Sequence, residues 1–163
     1  MSDNKLQQTE LVSAADYVNA LDNLCKLAKH SLVFFEKNYL DSGFNSSARF
    51  EILRNYLLQN PNHQLKLLAH DTRPLSQYCP RLLILLQQFS HNLFIYQTPK
   101  HLQHITEPFA IADETHYVRR FHFDHMPGIY VQNDSEYAHL LQSRFMEIWQ
   151  ESRPSSFTSN VSL

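Results

Sequence analysis

Glycine is nearly absent from this chain: Gly43 and Gly128 are the only two among 163 residues. A phosphate-cradling loop of the Walker or dinucleotide type needs several glycines so that backbone amides can reach the phosphate. ATP, GTP and dinucleotide cofactors held in those ways are therefore excluded, and no cofactor is expected. Cysteine is as scarce. Cys25 and Cys79 lack metal-ligand spacing and read as two reduced, partly buried thiols. No apolar run approaches the ~18 residues of a membrane span. Met1 to Thr9 lacks the basic start and apolar core of a signal peptide, so the expectation is a soluble, cytoplasmic protein. Neither sign of charge is in excess. A formal charge of −2 is not the basic surplus of a strong nucleic-acid binder, and nucleic acid is not an expected partner.

What is there is apolar and aromatic. Hydrophobic residues make up 43% of the chain and aromatic ones 12%, enough for one folded domain without disulfide staples. Residues 1–12 read as a flexible polar lead, 13–151 as a single domain, and the serine-rich 152–163 as a disordered tail. Ser13 followed by Asp16 resembles a capping box. It opens a helix with Tyr17, Leu21, Leu24 and Ala28 on one stripe, which ends near Lys29-His30. Leu32 to Phe35, Leu65 to Ala69 and Asn92 to Tyr96 are β-prone runs. Between them, Ser46 or Ser47 caps a second helix that Asn60-Pro61-Asn62 stops, and Arg81 to Phe89 forms a third, apolar on nearly every side. Thr106 to Asp113 and His116 to Arg120 read as a buried strand, a tight turn and a second strand. Met126-Pro127-Gly128 reads as a turn leading into a short edge strand, Ile129 to Val131. Asp134 or Ser135 caps a last helix with Phe145 and Trp149 on its apolar face.

Strands alternating with helices predict an α/β fold, a layered mixed sheet flanked by helices. Ligands in such sheets collect at the carboxyl ends of strands. The polar groups expected there are Glu36, His70-Asp71-Arg73 and Asp113. Arg119-Arg120 adds a second candidate for binding an anion. Strand neighbours face opposite ways, so only one arginine points to any given site. In the alternative to an anion site, one arginine is solvated and the other pairs with a carboxylate such as Glu114 or Asp124.

Asp113 closing an apolar strand, and an aromatic-rich final helix from Asp134 to Trp149, resemble one half of a phospholipase D-like fold. The sequence from Asp71 to Leu75, Arg81 to Leu83 and Phe109 to Arg120 is similar to a little-characterised phospholipase D-like domain often found behind GNAT-type N-acetyltransferase domains. The resemblance spans roughly Ala14 to Glu151. In that superfamily the signature HxKxxxxD supplies a histidine nucleophile and a lysine for the developing negative charge. Here its positions hold Thr106, Pro108 and Asp113. Threonine without an activating base is a poor nucleophile and proline has no side-chain donor, so Asp113 is left as a remnant. Cys79-Pro80 stands where the acetyltransferase-linked domain has a glycine-histidine pair. The resemblance thus implies a fold and counts against its best-known reaction. Since catalytic members join two halves, a single half implies a homodimer or another protein partner.

Histidines supply the rival signal. His101-Leu102-Gln103-His104 and His122-Phe123-Asp124-His125 share an HxxH spacing, which on a helix puts two metal ligands on one face. The segment at His122 reads as strand-to-turn, where residues three apart face opposite ways. His104 also becomes a nucleophile candidate if the signature register shifts by two residues. Two readings follow. The first is a non-catalytic phospholipase D-like module that self-associates or binds a protein or small anionic ligand, with Asp71, Arg73, Asp113, Arg119 and Arg120 as candidate ligand groups and no metal. The alternative is a divergent phosphodiesterase or metal-dependent hydrolase using His101, His104, His122 or His125.

Overall fold

A computed structural model describes residues 5–156. Helix starts follow the local capping chemistry. α1, Ala14–Leu27, opens on a true capping box: Ser13 Oγ accepts from the Asp16 amide at 3.1 Å and the Asp16 carboxylate accepts from the Ser13 amide at 3.3 Å. α2, Ser47–Gln59, starts where Ser46 Oγ accepts from the Arg49 amide, at 3.0 Å. α3, Leu75–Tyr78, and α4, Pro80–Gln88, follow one another with proline at the first position of α4. α5, Ser135–Glu151, is capped by Asp134, whose other carboxylate oxygen accepts from the Tyr117 hydroxyl at 2.9 Å. That single aspartate starts the helix and pins it to the sheet.

One eight-stranded sheet runs through the molecule in the order β1-β7-β6-β5-β2-β3-β4-β8. Its strands are β1 Gln7–Leu11, β2 Ser31–Glu36, β3 Gln64–Ala69, β4 Leu93–Gln97, β5 Phe109–Ala112, β6 His116–His122, β7 His125–Gln132 and β8 Arg153–Pro154. β2, β3 and β4 are parallel; β5, β6, β7 and β1 form an antiparallel meander joined to β2. Alternation along each strand divides the core into two. Leu32, Phe34, Leu65 and Leu67 pack with residues of α1, α2 and α4, whereas Val33, Phe35, Leu68, Phe109 and Ile111 pack with residues of α5.

Several expectations change. Residues 7–11, read as part of a loose lead, form β1 along β7. Residues 153–154, read as tail, pair with β4, and Ser155 is buried. Residues 1–4 and 157–163 of those two segments lie outside the described residues. Met126-Pro127-Gly128 is not a turn but the first half of β7. The proline is tolerated there because the β1 ladder ends at Gly128 and the β6 ladder is irregular between Arg120 and His122. Ile129 to Val131 is therefore an inner strand, not an edge. The third helix is buried on one side only: Leu82, Leu85 and Leu86 are inside, while Ile84 is exposed. Among the described residues no helix is long and apolar enough to cross a membrane.

Candidate functional site

Because β2, β3 and β4 are parallel, their carboxyl ends open on one edge of the sheet. A groove of about 1160 Å³ lies there, walled by Lys37 after β2, His70 to Arg73 after β3, Gln97 to Lys100 after β4, Thr106, the β6–β7 hairpin tip from His122 to Asp124, and Arg153 of β8. The Phe123 amide donates to the Thr106 carbonyl at 2.8 Å, and its ring packs on Phe35 and His70. These contacts hold the hairpin tip against the groove.

His70 sits at the back, 8% exposed. Its Nε2 lies 2.6 Å from the Ile105 carbonyl and its Nδ1 2.5 Å from Thr98 Oγ1. A carbonyl only accepts, so Nε2 carries the hydrogen. Burial pushes the imidazole's pKa down, which keeps the ring neutral and leaves Nδ1 to accept from the threonine hydroxyl. Both nitrogens are thus committed, one of them to the residue just before Thr106. Sequence reasoning placed His70 at the strand end but gave no sign of these partners, which come from 28 and 35 residues away.

The charges around the groove are mixed. Asp71 and Arg73 line it together. The guanidinium donates to both carboxylate oxygens at 2.9 Å and holds the Asp71 carboxyl below its usual range. Lys37, Lys100 and Arg153 are exposed and form no ion pair among the described residues. Glu151 accepts from His101 Nε2 at 3.1 Å, with both side chains more than half exposed.

The other expected ligand groups go elsewhere. β5 runs antiparallel to β2, so Asp113 stands at the opposite edge of the sheet from Glu36 and His70. Its carboxylate accepts from the amides of Lys29, His30 and Ser31 at 2.7–3.1 Å, fastening the β5–β6 turn to the start of β2. The two arginines do face opposite ways, but neither lines the groove or pairs with Glu114 or Asp124. Arg119 lies on the α5 side, near Glu107 (3.8 Å), with a hydrogen bond to the Tyr137 hydroxyl. Arg120 is buried on the α1 side.

Around Arg120 lies a charged cluster that no motif announced. Its guanidinium sits 4.4 Å from the Tyr17 ring centre and 3.9 Å from Glu36, and it donates to the His125 carbonyl at 3.2 Å. The Tyr17 hydroxyl donates to Glu36. Burial pushes the Glu36 carboxyl up to about 7, opposed by Tyr17 and Arg120. Nearby, Tyr39 adopts a left-handed backbone (φ 66°) and its hydroxyl reaches the Phe34 and Leu68 carbonyls. A bulky buried residue in that conformation is strained. It turns the chain after β2, and the Lys37 carbonyl accepts from the Asp71 amide at 3.0 Å.

The histidine pairs divide. His122 and His125 face one another across the hairpin with ring centres 5.0 Å apart, where strand alternation alone predicted divergence. His122 Nδ1 already accepts from the Asp124 amide at 3.0 Å. His101 belongs to a single 3-10 turn, Lys100–Leu102. His104 lies outside it, donating from Nδ1 to the His101 carbonyl at 2.9 Å and missing the groove wall. Among the described residues no three His, Cys, Asp or Glu side chains gather as a metal site.

Solved structures share this fold. The archaeal chromatin protein TrmBL2, whose structure shows a novel mode of DNA binding, is similar over 91% of this chain at 11% identity and a TM-score of 0.69, and this chain spans 54% of it. Nuc from Salmonella typhimurium, a phospholipase D family member, is similar over 93% of this chain and 97% of its own, at 11% identity and a TM-score of 0.65. NucT from Helicobacter pylori is similar over 93% of this chain and its whole length, at 9% identity and a TM-score of 0.59. No curated protein matches by sequence. At these identities the structural likeness speaks for the fold alone, and the fold is phospholipase D-like. A family model described as a domain of unknown function (DUF7931) matches residues 13–158, and the chain belongs to that family.

Proposed function

We propose that this domain is a non-catalytic phospholipase D-like module whose groove binds a small anionic ligand, a phosphate or phosphate ester. One observation carries the reading. The position that the superfamily gives to an imidazole nucleophile is Thr106, and His70, which bonds to the carbonyl of the preceding residue, has both ring nitrogens hydrogen-bonded. That leaves the His70 ring no free lone pair with which to attack a phosphorus atom. Lys37, Lys100 and Arg153, without an ion pair among the described residues, stand around the same groove, which suits an anion. Asp71, Asp124 and Glu151 are interleaved with them, which works against tracking a long polyanion.

The His101–Glu151 pair favours a second reading, hydrolysis. A carboxylate 3.1 Å from Nε2 leaves Nδ1 available as a base.

One set of assays separates the two. Purified protein is given an activated phosphodiester with and without chelator, alongside His101→Ala. Inorganic phosphate is titrated against the wild type, Lys100→Ala and Arg153→Ala. We expect no turnover, and phosphate binding weakened about three- to tenfold by each cation removed and further by salt. Turnover lost in His101→Ala establishes the hydrolase. A short single-stranded oligonucleotide, prompted by the DNA binding of TrmBL2, serves as a third probe. If it binds far more tightly than phosphate, the small-ligand reading fails.

A further inference from the structure

The two edges of the sheet are finished differently. β8 is two residues long and ends on Pro154, a short edge that offers little to pair with. Among the described residues β1 is a five-residue strand with a neighbour, β7, on one side only, and Gln7 to Glu10 are exposed. Residues 6–12 hold no proline, lysine or arginine, the usual devices against edge pairing. An exposed aliphatic residue stands just beyond each end of the strand: Leu6 is 50% exposed and Val12 71%.

The faces follow from Leu11, which turns into the core beneath α1. Gln7 and Thr9 share its face; Leu6, Gln8, Glu10 and Val12 share the other. Ser13 is still extended (φ −130°, ψ 165°), so the alternation runs through Val12.

We propose that β1 is a self-pairing edge, across which a second copy of this chain adds antiparallel with Thr9 on the two-fold axis. In that register Leu6 stands opposite Val12 of the partner subunit, and the same apolar pair recurs at the other end by symmetry. Gln8 meets Glu10 of the partner subunit, an amide donor facing a carboxylate. Thr9 meets Thr9 of the partner subunit, a favoured cross-strand pair. Neighbouring registers lose this match. Moving the axis to Gln8 sets Leu6 against Glu10 of the partner subunit. Moving it to Glu10 sets two carboxylates directly opposite each other. The interface is isologous and closes at two copies. It stands apart from the groove, so it holds whether or not the groove binds an anion.

Sedimentation of the full chain from about 1 μM to about 1 mM tests it, beside Thr9→Lys, Thr9→Cys and Gln7→Cys, each checked for unchanged circular dichroism. The native thiols, Cys25 and Cys79, are buried and give little background. We expect a concentration-dependent dimer, weakened about tenfold or more when Thr9→Lys puts like charges in apposition. Mild oxidation should cross-link Thr9→Cys to its symmetry mate, because opposed Cα atoms lie about 4.5–5.5 Å apart. Gln7→Cys should not cross-link, since its mate is displaced four residues, roughly 13 Å, along the strand. A monomer at every concentration overturns the proposal. So does a dimer that Thr9→Lys leaves intact, or one that both cysteine variants cross-link equally.

Discussion

Glu36 ends a buried strand with a hydroxyl and a guanidinium as its polar partners and little water around it. Its folded-state pKa, about 7, lies above the ordinary value of 4.5. The folded protein therefore binds the proton more tightly than the unfolded chain between those two values, and this group's contribution to stability falls as pH rises through that window. Below it the group is neutral in both states and the effect vanishes; above it the full penalty, about 3 kcal/mol, is present. Glu36→Gln keeps the shape and removes the charge. The stability of the variant relative to wild type should grow between pH 5 and pH 8, as read by urea denaturation at each pH. A difference that stays flat, or that shrinks, would contradict this assignment. Asp113 is the counter-case. The sequence showed an acid closing a strand, the place where a ligand group belongs. The amides it holds belong to residues 29–31, on the far side of the β2 start, a partnership that only the folded chain brings about.

Elements defined by local chemistry were legible. Ser13 caps its helix as the sequence indicated, and Ser46 and Asp134 do so from the pairs Ser46 or Ser47 and Asp134 or Ser135 that it offered, because a cap is an agreement between residues three apart. The alternating and apolar runs gave β2 to β6 for the same reason. β1 was missed because its residues, exposed at four of five positions, show no buried face to give a period. β7 was cut short because Pro-Gly is turn chemistry nearly everywhere, and its tolerance here depends on where two neighbouring ladders stop. The β5–β6 turn carries a cost that can be measured. Asp113 and Glu114 have φ of 58° and 51°, the left-handed pair of a tight hairpin, and a glutamate pays a steric penalty of about 1 kcal/mol there that glycine does not. Glu114→Gly should raise the melting temperature by a few degrees, the exposed contact with His139 at 3.8 Å being of little weight. An unchanged or lower melting temperature would show that the turn is not strained.

At the scale of the whole molecule, the fold class was readable and the site only in part. Alternating helices and strands, with Asp113 and the last helix, pointed to the phospholipase D-like arrangement that the solved structures share. Asp71 and Arg73 line the groove. Asp113 does not, because β5 runs antiparallel to β2 and its end lies at the other side of the sheet. Arg119 and Arg120 stand level with Phe35 and Glu36 but two strands away from the parallel set, turned to the α5 and α1 sides. The same topology sets an order of opening. β5 pairs with β6 and β6 with β7, each its immediate successor, whereas β1 reaches β7 from the other end of the chain and, among the described residues, pairs with no other strand. Its amides should therefore exchange with deuterium by fraying, long before those of β2 and β3 that open only with the whole domain. Should the chain associate along that edge, protection there, and only there, would rise with protein concentration.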